Sequence, residues 1–322
     1  MSRTSPETCA SAAATWRRAT AHLDPGYHVA AQQGSRTVSR HRASEAGWRA
    51  PEWLSITHGE APLLLSIPHS GTDLRGLDSR FVSHWLATRD TDWHVDRLYA
   101  FATALGATVV RTTVSRSVID VNRDPSGRSL YPGLATTELC PTTTFDGEPL
   151  YRRPTPLSPA EIAQRRREYH EPYHAALRAE AERLLRRHAR IVLYDCHSIR
   201  SRIPRLFAGT LPQFNLGTND GLACDRALSS AVAAVCAESG FSHVVDGRFK
   251  GGYITRAHGR PANGVHALQM ELACRGYVAE PDGPVSPRNW PPPFDPQFAA
   301  PLQAVLETVL GRCIEFAVKA AG

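Results

Sequence analysis

Two histidines stand where metal chemistry would need them. His69 follows the apolar run 63–67 in the turn Pro68-His69-Ser70-Gly71, and His197 follows residues 191–194 in Asp195-Cys196-His197-Ser198. Apolar runs of this length read as parallel strands buried on both faces, and α/β enzymes collect their ligands beyond the carboxyl ends of such strands. Two imidazoles at two such ends point to one shared metal site. A catalytic zinc takes about three N, O or S ligands and keeps one position open. The third ligand should be a carboxylate, with Asp92 the first choice and Asp90 and Asp96 behind it. A His/Asp/His set is borderline hard, so the expected cofactor is one divalent metal, Zn²⁺ first, with Co²⁺ or Mn²⁺ also accommodated.

A proton acceptor and a set of anion donors accompany the metal ligands. Glu271 is an isolated acid in the apolar stretch 265–272. Burial raises a carboxylate's pKa, and a raised pKa suits a general base that later returns its proton to a leaving amine. The competing reading pairs Glu271 with Arg248 or Arg256. Arg116, Asn122 and Arg123 form a compact donor set after a strand. Arg116 is the candidate for steadying a developing oxyanion. Asn122 and Arg123 are the candidates for substrate binding, with Arg200, Arg202 and Arg256 in the second rank, because guanidinium matches carboxylate as a planar fork. A Cys196–His197 nucleophile pair is disfavoured, since strand neighbours point to opposite faces. The chain has no G-x-S-x-G elbow, no P-loop and no G-x-G-x-x-G.

Strands alternating with helices must hold these residues. Strands are expected at 63–67, 107–115, 190–196, 242–246 and 265–272. Helices are expected at 79–88, at 92–105 behind a Thr91 cap, from the Ser158 capping box to about His188 with a kink at Pro172, at 218–240 from Asn219 or Asp220, and at 298–320. The order implies a three-layer α/β/α domain with a mostly parallel mixed sheet. Residues 1–46 are rich in Ala, Ser, Thr and Arg and lack a sustained apolar period, so they are expected to form a disordered or poorly ordered arm, and 47–322 one metallohydrolase domain. The loop 124–157 is long and irregular, and its aromatics favour an ordered lid. The Pro cluster at 281–293 reads as a linker.

Composition narrows the class. The 322 residues carry a formal charge of +6, nearly all from Arg, since Lys occurs only at 250 and 319. The arginines are scattered and no nucleic-acid motif accompanies them, so no nucleic-acid partner is expected. The positive balance suits a small anionic substrate. No apolar stretch approaches the roughly 20 residues that span a bilayer. Seven widely spaced cysteines without CxxC pairs fit a reducing cytoplasm. The residues leave the oligomeric state open.

Several blocks together resemble the N-formylglutamate amidohydrolase family. They are Ser66-Ile67-Pro68-His69-Ser70-Gly71, Asp90-Thr91-Asp92-Trp93-His94-Val95-Asp96, Ser115-Arg116, Asn122-Arg123, Phe145-Asp146-Gly147, Asp195 to Ser201, Gly247 to Arg256 and Gln269-Met270-Glu271-Leu272. The resemblance spans about 50–280. It implies a metal-dependent hydrolase that releases formate and L-glutamate from N-formyl-L-glutamate in the last step of histidine degradation, with a fold similar to that of zinc carboxypeptidases and aspartoacylase. Carried onto matching positions, it assigns the metal to His69 and His197, the base to Glu271, and anion binding to Arg116, Asn122 and Arg123. Those relatives place their acidic ligand three residues after the first histidine, where this chain has Thr72, so the acid must come from elsewhere. Two other classes remain at this stage: an amidohydrolase of a different N-acyl amino acid, and a non-catalytic carboxylate-binding protein.

Overall fold

The structure is a computed structural model that describes residues 50–152 and 157–319. The expectation for residues 1–46 lies outside the described residues. Seven strands form one sheet: β1 (Leu54–Thr57), β2 (Leu63–Ile67), β3 (Thr108–Thr112), β4 (Ile191–Ile199), β5 (Phe214–Gly217), β6 (His243–Val245) and β7 (Val265–Ala273). Their order is β1-β3-β2-β4-β7-β5-β6. The four central strands run parallel, β1 is antiparallel to β3, and β5 is antiparallel to β7. The α/β architecture with a mostly parallel mixed sheet is as the sequence implies.

The alternation of side chains builds the three layers. Val192, Tyr194 and Cys196 of β4 and Leu268, Met270 and Leu272 of β7 pack with one hydrophobic cluster. That cluster includes Leu228 and Val232 of the helix Arg226–Glu238 and Leu306 and Leu310 of the helix Pro296–Val318. Ile191, Leu193, Val265 and Ala267 point the other way, against Tyr173, Leu177 and Leu184 of the helix Glu171–Leu185 and Ile254 of the helix Tyr253–His258. With a period of two, Asp195, His197, Gln269 and Glu271 fall on this second face, at its carboxyl end. Ile199 and Ala273 extend the same parity into a small cluster with Phe145, Ile203 and Leu211.

Several sequence expectations are corrected. β4 continues to Ile199, so His197 lies within the ladder rather than beyond it. The helix expected at 92–105 is broken into Val95–Leu98 and a 3-10 turn, Ala100–Thr103, because His94 adopts φ 64° and Asp92 is drawn into tertiary contacts. Asn219 and Asp220 form a left-handed turn instead of starting a helix, and Asp225 supplies the cap at Arg226–Glu238. The helix after Ser158 comes as Pro159–Arg165, a π turn at Arg166–His170, then Glu171–Leu185, with Pro172 entering just after the irregular turn. The expected helix at 79–88 reduces to a 3-10 turn and His84–Thr88. The tract 281–293 is no linker: Trp290 is buried, donates its indole N–H to the Arg89 carbonyl at 2.8 Å, and accepts from the Trp85 indole at 2.9 Å. Among the described residues, no helix is long and apolar enough to cross a membrane.

Candidate metal centre and active site

His69, Asp92 and His197 meet although the first and last lie 128 positions apart in the chain, and their ligand atoms lie within 4.8 Å of one another. Each is at most 2% exposed. Asp92 arrives on a turn rather than a helix, its backbone N–H donating to the His69 carbonyl at 2.9 Å. Its Oδ2 lies 3.1 Å from His197 Nδ1 and 3.6 Å from His69 Nδ1. A tetrahedral ion with bonds of about 2.0–2.1 Å has ligand–ligand edges of about 3.3 Å, so both separations are edges a zinc-sized ion can span. His69 Nδ1 is buried with no hydrogen-bond partner. An orphaned imidazole nitrogen beside a carboxylate and a second imidazole fits a divalent metal. Of the other two acids weighed, Asp90 accepts from the Phe145 N–H at 2.6 Å and lies near Arg200 and Arg89, and Asp96 pairs with Arg111.

Two acids that the sequence reading did not single out brace the histidines from behind. His69 Nε2 contacts Asp120 Oδ1 at 2.7 Å, and His197 Nε2 contacts Asp195 Oδ2 at 2.8 Å. A carboxylate on the far nitrogen fixes tautomer and ring orientation and leaves Nδ1 for a metal. Asp195 had a legible signal, an acid two residues before His197 on the same strand face. Asp120 had none, since it lies in the turn after β3 and reaches His69 only through tertiary folding.

Electrostatics follow from burial and pairing. Burial works against Asp92's charge, yet hydrogen bonds to His197 and His69 and the nearby Arg116 hold its carboxyl well below the usual range. Burial likewise opposes charge on His197, and the carboxylates of Asp195 and Asp92 outweigh it, raising its pKa well above that of a free imidazole. Glu271 goes the other way: burial lifts it to about 7, against the pull of His197 and Arg116.

Glu271 owes its place to backbone register. In the parallel β4–β7 ladder Asp195 lies opposite Gln269 and His197 opposite Glu271. The salt-bridged alternative is not realised, because the side-chain partner of Glu271 is Gln269, whose Nε2 donates to Oε2 at 3.1 Å. Gln269 Oε1 in turn accepts from the Gly252 N–H at 2.7 Å. Gly252 is also a close approach, since a Cβ there would sit 2.4–2.5 Å from the Asn122 side chain.

The anion-binding candidates divide. Arg116 donates to Asp92 at 3.1 Å and Asp120 at 2.7 Å. Asn122 donates through Nδ2 to Asp195 at 3.1 Å and accepts at Oδ1 from the Ile254 N–H at 2.8 Å, so its amide braces the centre as well as facing the cavity. Arg123 is tied to Thr137 and lies 3.7 Å from Asp120. All three line a cavity of about 560 Å³, mouth included, with His69, His197 and Glu271. Tyr131, Thr136, Thr137 and Phe145 of the 124–157 loop also line it, so the described part of that loop covers the site. Arg200, Arg202 and Arg256 do not line it. Arg200 pairs with Asp146 and Asp90, Arg202 donates to Thr210, and Arg256 donates to the Gly251 carbonyl. Arg248, weighed earlier only as a partner for Glu271, does line it.

Behind the Asn122 segment lies a histidine group with a pH consequence. His174 Nε2 meets the Val121 carbonyl at 2.8 Å, His170 Nε2 meets the Arg123 carbonyl at 3.0 Å, and His174 Nδ1 lies 2.8 Å from His258 Nε2. Burial pushes His258 down to about 4, and burial with the neighbouring histidines His170 and His258 holds His174 well below the ordinary imidazole range. The unfolded chain binds protons at these positions below about pH 6.5 while the folded chain does not, so stability is lost as pH falls from about 6.5 toward 4. For His258 the loss by pH 5 is about 2 kcal/mol. Urea midpoints measured from pH 7.5 to 5 are expected to fall less steeply in His258→Gln than in the parent; equal slopes would take this histidine out of the account.

The family model described as N-formylglutamate amidohydrolase matches residues 61–278. The chain is 48% identical over 231 residues to the N-formylglutamate deformylase of Pseudomonas aeruginosa, covering 71% of this chain and 86% of that protein. It is 44% identical over 259 residues to the N-formylglutamate deformylase of Pseudomonas putida, covering 80% and 94%. Among solved structures, an N-formylglutamate amidohydrolase from Ralstonia eutropha superposes with a TM-score of 0.68 at 27% identity, over 82% of this chain and 98% of that one.

Proposed function

This chain belongs to the N-formylglutamate amidohydrolase family, and we propose that it releases formate and L-glutamate from N-formyl-L-glutamate at the His69–Asp92–His197 centre. The observation that carries the site assignment is the meeting of three buried metal donors with Glu271, which stands directly across the β4–β7 ladder from His197. His69, Asp92 and His197 would hold a divalent metal, zinc by the donor set, which would supply Lewis acidity there and lower the pKa of a bound water toward neutrality.

The chain's own groups perform the remaining steps. Glu271, with a pKa near neutrality, takes the proton of the attacking water and hands it to the departing glutamate nitrogen. Arg116, fixed by Asp92 and Asp120, offers its remaining N–H groups to the oxygen that gains charge on the formyl carbon. A donor in that role is worth about 3–4 kcal/mol. Asn122 and Arg123 hold the carboxylate nearest the scissile bond. Asp120 and Asp195 act as positioning residues that keep both imidazoles turned inward.

Formate release from N-formyl-L-glutamate before and after chelation tests this reading. Activity should disappear as metal is stripped and return on adding about one equivalent of Zn²⁺. Metal-free protein that still releases formate would overturn the metal assignment.

A further inference from the structure

N-formylglutamate carries two carboxylates, and the residues above account for one. We propose that Arg248 binds the distal, side-chain carboxylate and so sets the enzyme's preference for an acidic acyl amino acid, an inference that rests on the function proposed above.

Four observations support Arg248. It lines the same cavity as His69, His197, Arg116 and Glu271. Among the described residues, no carboxylate comes within the 4.0 Å of a salt bridge to it; its partners are the Leu206 carbonyl at 2.9 Å from Nε and the Ala135 carbonyl at 2.7 Å from Nη2. Guanidinium has five N–H donors, so these two bonds leave three, including both on Nη1. The group is also held in place, with the Tyr131 ring centroid 5.4 Å and the Phe249 ring centroid 5.3 Å from its central carbon. Tyr131 is itself tied down, donating to the Gly251 carbonyl at 3.0 Å and accepting from the Lys250 N–H at 3.1 Å.

Charge and position point the same way. The cavity lining carries three guanidinium groups, Arg116, Arg123 and Arg248, against the single carboxylate of Glu271. Arg116 spends its charge on Asp92 and Asp120, and Arg123 lies beside Asp120. Of the three, Arg248 alone has no carboxylate beside it among the described residues. Burial lowers its pKa, as expected of a cation short of a counter-charge. Arg123 directly follows Asn122, whose amide contacts Asp195 and His197, so it stands by the reacting end. Arg248 hangs from the carbonyls of Leu206 and Ala135 in the wall of the same cavity, a second fixed cation for the second carboxylate.

The test compares kcat/KM for N-formyl-L-glutamate and N-formyl-L-glutamine, which differ only in the distal charge. Arg248→Met leaves the distal carboxylate without its counter-charge and should lose about 100-fold on the glutamate substrate, mostly through KM. On the glutamine substrate the loss should be only a few-fold, and the parent's preference for glutamate should collapse. Arg248→Lys keeps the charge without the fork and should retain an intermediate preference. Equal losses on both substrates, or a preference unchanged in both variants, would overturn the role of Arg248. A parent enzyme inactive on N-formyl-L-glutamate would instead overturn the function on which the inference rests.

Discussion

Glu271→Gln is expected to lower kcat by about 10³-fold while metal content and fold are retained. The change is nearly isosteric, and the new amide can still present its oxygen to the Gln269 Nε2 that now donates to Glu271 Oε2. It removes the ability to take a proton from water and return it to nitrogen. Residual turnover should stay above the uncatalysed rate, since the proposed roles of the His69–Asp92–His197 centre and of Arg116 do not run through Glu271. Steady-state formate release combined with metal analysis decides the matter. A kcat within tenfold of the parent, at full metal occupancy, would remove Glu271 from its assigned step.

His197→Ala should cost both the metal and the activity, and stability as well. Removing an outer-shell partner already weakens metal binding by about 10–100-fold, and a lost ligand should weaken it more. The substitution also leaves Asp92 and Asp195, at 1% and 0% exposure, without the imidazole between them. Stranding a buried charge in this way typically costs about 3–5 kcal/mol. Should the variant not accumulate as folded protein, His69→Gln provides a second arm with a bulkier replacement. Equilibrium dialysis against Zn²⁺ and urea unfolding supply the readouts. A variant that binds one equivalent of metal at parental affinity and still turns over would show that the centre lies elsewhere.

The sequence made the centre of the sheet legible and its margins obscure. Strands such as 63–67 and 265–272 are apolar on both faces because helices cover both, and that pattern survives without any knowledge of partners. β1 and β5, four residues each, were not foreseen, whereas the still shorter edge strand β6 was, from the run around Val244-Val245. His69, His197 and Glu271 stood out as polar residues in apolar company. Asp92 had to be chosen among three neighbouring acids, because what separates it from Asp90 and Asp96 is the direction of its carboxylate, which follows from the left-handed His94 and the bond to the His69 carbonyl. The arginines were the hardest to rank. Arg200, Arg248 and Arg256 look alike in one dimension, and only the positions of Asp146, Gly251 and the two carbonyls behind Arg248 separate them.

The β4–β7 ladder pairs nine residues on each side, Ile191 with Val265 through Ile199 with Ala273, and its main-chain bonds set His197 opposite Glu271, the two residues proposed as metal ligand and proton acceptor. Its two strands therefore make a poor substrate for evolutionary change by insertion or deletion, since a one-residue slip in either would turn its own pair, Asp195 and His197 or Gln269 and Glu271, away from the other's. The walls that carry Tyr131, Ala135, Leu206 and Arg248 are loops and bear no such constraint. An engineer seeking a different acyl amino acid can vary single wall residues there while keeping Thr137, which holds Arg123, and Gly252, which holds Gln269.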